Sequence, residues 1–129
     1  MILRKKQTKK CAPGKLKKRK VQKKTTLRRK CDKLVGAMCR AVGRCEFCGK
    51  TQNLQWCHFI TRRIIRLRYE PLNYACLDAG CHFRGHQHPG WLTEEWNRLK
   101  GPGTTEWLER ESNRVEPVNE FFYHNILQD

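Results

Sequence analysis

Residues 45–86 read CEFCGKTQNLQWCHFITRRIIRLRYEPLNYACLDAGCHFRGH, and the spacing of their cysteines and histidines decides how the chain folds. Cys45 and Cys48 form a Cys-x-x-Cys pair, in which two thiolates on one tight turn can grip a single tetrahedral ion. Cys81, near the far end of the stretch, supplies a third thiolate. The fourth ligand is Cys76 or Asp78, two residues apart and therefore on one face of a strand. Thiolate is the better zinc ligand, which favours Cys76 and leaves Asp78 as the alternative. A small domain with this constellation needs its structural Zn²⁺ to fold. Taken alone, the site describes a zinc-binding module without chemistry.

A second set of residues is not used by that site. Leu54 to His58 reads as a short strand and Asn73 to Leu77 as another, with a helix from Cys81 through His86, stopped by Pro89. His82 and His86 are four apart, hence on one helix face and able to share a second ion. Cys57 can offer that ion a third ligand. His58 would then stand beside the ion, where a general base for water belongs. Four of the five histidines lie between positions 58 and 88. Of these, His88 reads as a solvent or phosphate contact, and the distant His124 receives no role. The loop between the strands carries Arg62, Arg63, Arg66 and Arg68 among Ile64, Ile65 and Leu67. Guanidinium forks match phosphate geometry, although at least one of these arginines is expected only to solvate the loop.

Outward from the core, Leu27, Cys31, Leu34, Val35, Met38 and Val42 recur at three- and four-residue steps, predicting a helix over 25–42. Thr25 or Thr26 can cap it and Gly43 can end it; Cys31 and Cys39 pack there as small apolar groups. Beyond Pro89, the helices of 90–129 are expected around Trp91, Leu92, Trp96 and Leu99, with Glu94 and Glu95 in a first turn where acids suit the dipole. After the Gly101-Pro102-Gly103 break, Thr104 or Thr105 can cap a helix through Trp107 and Leu108, and Glu116 to Leu127 forms the last. The tryptophans are expected in the core, because a domain of this size needs large side chains to bury enough area. The organisation is α+β: a basic arm over 1–24, then one domain over 25–129 whose zinc core spans 43–89.

Charge and length bound the function. Of the 28 Lys and Arg among 129 residues, 15 lie in residues 1–30, which contain no acid, whereas the last 29 residues are net acidic. An arm such as Lys17-Lys18-Arg19-Lys20 repels itself and lacks apolar side chains, so it is expected to be disordered in isolation and to condense on a polyanion with salt-dependent affinity. Nucleic acid is the expected partner; no amphipathic apolar face accompanies the lysines to suggest lipid. The length excludes a barrel or doubly wound enzyme of ordinary size. No run of about 20 apolar residues is present to span a membrane, and no apolar stretch follows the N-terminal cations as in a secretory signal. A cytoplasmic location with reduced thiols follows, in which the eight cysteines, Cys11 of the arm aside, read as ligands and core residues instead of disulfides.

The order Cys-x-x-Cys-Gly, His58-Phe59-Ile60, Arg68-Tyr69-x-Pro71-x-Asn73 and Cys81-His82-x₃-His86 resembles the HNH (ββα-metal) nuclease superfamily. Cys31-Asp32-Lys33-Leu34 in the preceding helix makes it resemble more closely the NinG/Rap-type phage recombination nucleases, over about residues 28–100. The resemblance implies a small zinc-stabilised ββα-metal (HNH) core with flanking helices. It makes His58 the general base and Asn73 the residue that holds the loop and His58 in orientation. It makes His82 and His86 ligands of a catalytic divalent ion (Mg²⁺ or Mn²⁺, with Zn²⁺ possible) and puts Cys57 where many members have Asp or His as a further ligand. Cys45, Cys48 and Cys81 match the structural zinc cysteines. Where the family usually has Cys, position 78 is Asp. The implied activity is metal-dependent hydrolysis of DNA phosphodiester bonds in phage recombination or DNA processing, inside a bacterial host cell. The substrate is duplex or branched, Holliday-junction-like DNA, and a homodimer is implied if a four-way junction is cut symmetrically. The alternative is a non-catalytic zinc-binding nucleic-acid module; a sequence-specific homing or restriction nuclease would need a recognition domain for which the chain has little room.

Overall fold

A computed structural model describes residues 25–128. Helix α1 covers 25–40 of these and ends in a turn at Gly43, whose φ of +81° is a conformation that glycine adopts without steric cost. The helix is therefore two residues shorter than its apolar periodicity predicts. Its buried line is Leu27, Cys31, Val35 and Cys39, one residue per turn, while Met38 and Val42 are exposed. The basic arm, with Lys17, Lys18, Arg19, Lys20 and Cys11, lies outside the described residues.

Two strands follow, β1 (Leu54–His58) and β2 (Tyr74–Asp78), paired antiparallel with Leu54 opposite Asp78 and His58 opposite Tyr74. Between them the chain makes a one-turn helix α2 (Ile65–Arg68) and a 3₁₀ turn (Pro71–Asn73). Asn73, expected to open the second strand, closes this turn instead. Then come α3 (Ala79–Gln87), α4 (Pro89–Lys100), α5 (Thr104–Ser112) and α6 (Glu120–Gln128).

Strand alternation divides the structure into two cores. Cys57, Ala75 and Leu77 point to one face, where they meet Trp96 of α4, Leu108 of α5 and Cys45 of the Cys-x-x-Cys turn. Trp56 and Tyr74 point to the other, against Leu27, Cys31 and Val35 of α1, Tyr69, and Tyr123 of α6. The period-2 register thus places helices on both sides of a two-stranded ribbon that could not persist alone. Gly85 lets α3 and α4 approach closely, since a Cβ there would stand 3.0 Å from a Leu92 methyl.

Several predicted boundaries move for local reasons. Pro89 does not merely stop α3; it opens α4 at a first-turn position where its missing N–H costs nothing. Glu94 and Glu95 consequently fall beyond the first turn. Neither Thr104 nor Thr105 caps α5, which follows left-handed Gly103; the Thr104 hydroxyl donates back to the Gly101 carbonyl at 2.7 Å. The last helix begins at Glu120, four residues later than predicted. Of the tryptophans, Trp96 is wholly buried, its indole N–H donating to the Leu72 carbonyl at 2.9 Å, whereas Trp107 is exposed at the surface. No helix among the described residues is long and apolar enough to cross a membrane.

Candidate metal centres and histidine cleft

Cys45, Cys48, Asp78 and Cys81 come together with their ligand atoms all within 4.8 Å of one another. Three thiols and a carboxylate suit zinc. In a tetrahedral site with Zn–S near 2.3 Å the sulfurs sit about 3.8 Å apart, so little rearrangement is needed to bind the ion. The Cys-x-x-Cys turn is shaped by Gly49, at φ +83°, whose N–H donates to the Cys45 carbonyl at 2.9 Å. It is tied to β2 by a reciprocal pair: Glu46 N–H donates to the Cys76 carbonyl, and Cys76 N–H to a Glu46 carboxylate oxygen, both at 2.8 Å.

Asp78 is the fourth member of this group, and the preference for Cys76 is corrected. Asp78 ends β2 and is the N-cap of α3, accepting from Gly80 N–H at 3.1 Å and from Cys81 N–H at 3.4 Å. That cap turns its carboxylate toward Cys81, while Cys48 Sγ–H donates to its Oδ1 at 3.2 Å. Cys76 stands two residues back, about 6.7 Å along the strand. It is completely buried, and its thiol meets Cys39 of α1. Hydrogen bonds from Cys81 and then from Cys45 and Cys48 hold the Asp78 carboxyl far below the ordinary carboxylate range. Burial, followed by its bond to Asp78, raises the Cys81 thiol. Binding zinc would release these thiol protons. All seven cysteines among the described residues are free thiols.

His58, His82 and His86 line one open cleft of about 450 Å³ with Trp56, Cys57, Phe59, Thr61 and Arg62. His58 lies 2.8 Å, through Nε2, from the carbonyl oxygen of Arg68. A carbonyl only accepts, so Nε2 carries the proton and the neutral ring keeps its lone pair on Nδ1. Burial above all, with the positive charges of Arg68 and Arg62, lowers the His58 pKa from 6.5 to about 4 against the opposing pull of the carbonyl bond and of the Asp32 charge. The ring is therefore a neutral base at neutral pH. Asn73 is wholly buried and spends its entire side chain on the loop after His58. Its amide donates to the carbonyls of Ile60 (3.1 Å) and Leu67 (3.0 Å), and its Oδ1 accepts from Ile60 N–H at 2.7 Å.

On α3, His82 Nδ1–H donates to Gln55 Oε1 at 2.5 Å, which leaves the lone pair on Nε2. His86 Nε2 lies 3.2 Å from that nitrogen. Two imidazoles on one tetrahedral ion at 2.0–2.1 Å would present nitrogens about 3.3 Å apart, so the pair fits a shared divalent ion. Cys57 does not join them: among the described residues no three-ligand group includes it. Its thiol is 2 % exposed in the core beneath the cleft, donates to the Gln55 carbonyl at 3.6 Å, and is pushed up to about 12 by burial.

The four loop arginines divide into two pairs. Arg66 is held by Glu111 and Glu116, and Arg68 makes a bidentate pair with Asp32 at 2.7 and 2.8 Å. Both are committed to the fold, contrary to their expected place at a phosphate. Arg62 and Arg63 are exposed, form no ion pair among the described residues, and border the cleft through Arg62. Gln55 and Asp32 escape a reading of the sequence because a lone glutamine or aspartate carries no spacing signal. Asp78 had one, since an Asp three residues before Cys81 fits a helix cap. Comparison with family models, with curated proteins and with solved structures finds no match for this chain.

Two outcomes follow from this geometry. Replacing Cys76 with Ser is expected to leave one tightly bound zinc per chain, whereas Asp78→Ala weakens zinc binding by more than about tenfold in a chelator competition. Loss of zinc in Cys76→Ser would contradict the ligand set. For His58, the folded pKa lies below the unfolded one, so as pH falls from 6.5 toward about 4 the unfolded chain takes up the proton first and stability is lost. In urea titrations at saturating zinc, His58→Gln should lose less stability than wild type over this window. Parallel curves would contradict a buried neutral His58.

Proposed function

We propose that this protein is a metal-dependent DNA endonuclease of the HNH (ββα-metal) type. The observation that carries the reading is the convergence of His58 from β1 with His82 and His86 from α3 on one cleft of a strand–strand–helix unit. This cleft is separate from the cysteine group, so the second histidine set has no structural metal to explain it.

The residues fit phosphodiester hydrolysis. His58 Nδ1 accepts a proton from water, and the Arg68 carbonyl on Nε2–H stabilises the imidazolium that forms. Asn73 keeps the loop after His58 in place by its three hydrogen bonds. Arg62 and Arg63 hold phosphates beside the scissile bond, a role for which their exposure suits them. His82 and His86 would hold a divalent ion, Mg²⁺ or Mn²⁺ with Zn²⁺ as a further choice, which would supply Lewis-acid stabilisation of the phosphoryl oxygens and the leaving 3′ oxygen. The zinc of the Cys₃Asp group serves folding. The Lys-rich arm supplies salt-dependent, sequence-independent affinity for the polyanion. By its likeness to the NinG/Rap-type nucleases, the protein acts in phage recombination within the bacterial cytoplasm, prefers branched DNA, and cuts a four-way junction as a homodimer.

A second reading, a non-catalytic zinc-binding nucleic-acid module, is favoured by one observation: only two ligand side chains converge at the histidine site among the described residues. A cleavage assay on a synthetic four-way junction and its matching linear duplex separates the two. Wild type should cut in Mg²⁺ or Mn²⁺, the junction faster, and His58→Ala should lose at least about 100-fold in rate while still binding DNA. Binding by both proteins with no cutting in any metal would establish the module instead.

A further inference from the structure

The ion pair between Asp32 and Arg68 joins α1 to the loop that follows His58, and the roles assigned above leave it unused. Asp32 sits on α1, outside the strand–strand–helix unit. Its carboxylate takes Nε–H of Arg68 at 2.7 Å and an Nη2 hydrogen at 2.8 Å. Tyr69 O–H donates to the same carboxylate at 2.7 Å. The remaining end of the guanidinium, Nη1, donates to the Arg62 carbonyl at 3.1 Å. The backbone carbonyl of this same Arg68 accepts from His58 Nε2–H.

We infer that Asp32 is a positioning residue for His58: by clamping Arg68 it fixes the carbonyl that selects the Nε2–H tautomer and so keeps the lone pair on Nδ1. A bidentate pair is what such a role requires. One hydrogen bond would let the arginine pivot, whereas two parallel bonds fix the guanidinium plane. The third bond, to Arg62, ties the start of the arginine loop to its end, so one side chain of α1 sets both the base and the exposed Arg62. Asp32 touches neither water nor phosphate in this scheme. Its hydrogen-bonded path to the His58 ring runs through Arg68. The kinetic consequence rests on the nuclease reading; the effect on the His58 ring does not.

The test uses the full chain with zinc bound and compares wild type, Asp32→Asn and Tyr69→Phe. Tyr69→Phe removes another hydrogen bond from the same carboxylate but leaves the Arg68 clamp, so it controls for loss of stability alone. The ring nitrogens of His58 are read by long-range ¹H–¹⁵N NMR, which separates the two tautomers without reference to activity. Wild type and Tyr69→Phe should show Nε2–H only, while Asp32→Asn admits the Nδ1–H form. In the cleavage assay Asp32→Asn should lose about ten- to a hundredfold in kcat with DNA affinity unchanged, as expected for a misplaced base. An unaltered tautomer in Asp32→Asn, or an equal change in Tyr69→Phe, overturns the inference. Should Asp32→Asn fail to fold, Asp32→Glu, which displaces the carboxylate by one methylene, is read in the same way. If wild type cuts no DNA, the nuclease reading falls and the tautomer alone decides the role of Asp32.

Discussion

Asp78 is where the structure is joined. Its backbone is the last residue of β2 and pairs with Leu54 at the start of β1. Its side chain caps α3 through Gly80 and Cys81 N–H, placing a negative charge where the helix dipole favours one. The same carboxylate completes a group with three thiols drawn from the Cys-x-x-Cys turn and from the first turn of α3. Hairpin, turn and helix are thus tied at one point. A two-stranded ribbon of five-residue strands has little stability of its own, so the angle at which α3 leaves the ribbon depends on this junction. A metal ion held there would convert a set of weak local preferences into one cross-linked unit.

The histidine cleft inherits its geometry from that junction. Since α3 starts at a fixed point, His82 and His86 project one turn apart beside β1, where Gln55, near the start of the strand, meets His82. His58 reaches the cleft from β1, on the strand face opposite Cys57. The two faces of one strand therefore serve different ends: Cys57 fills the core, while its neighbour His58 is held by a carbonyl of the loop that follows. Asn73 is the closing element: its buried amide pairs both the N–H and the carbonyl of Ile60, each of which would cost about 1–3 kcal/mol if buried unpaired, and adds a further bond to the Leu67 carbonyl.

Much of this arrangement is visible in the residues themselves. The Cys-x-x-Cys pair, the span of β1, the i, i+4 histidines and the Gly43 stop are local signals, and local geometry honours them. The partition between Cys76 and Asp78 was not legible from ligand chemistry alone. Helix capping, a backbone requirement, turns Asp78 toward Cys81. The arginine loop shows the same limit. Four arginines in one short stretch look equivalent, yet Glu111 and Glu116 capture Arg66 and Asp32 captures Arg68. Those partners lie between 36 and 50 residues away in the chain, beyond any periodicity argument. The acidic C-terminal region, opaque as sequence, finds part of its use in holding Arg66 and in laying Tyr123 of α6 against α1.

The claim on which the rest depends is that Asp78, not another thiol, completes the cysteine group. X-ray absorption at the zinc edge of the purified full chain measures this directly. Three sulfurs near 2.3 Å and one oxygen at about 2.0–2.2 Å are the predicted shell. A shell of four sulfurs would contradict the account, since it would draw a further cysteine into the site and release Asp78 from the junction of strand, helix and turn.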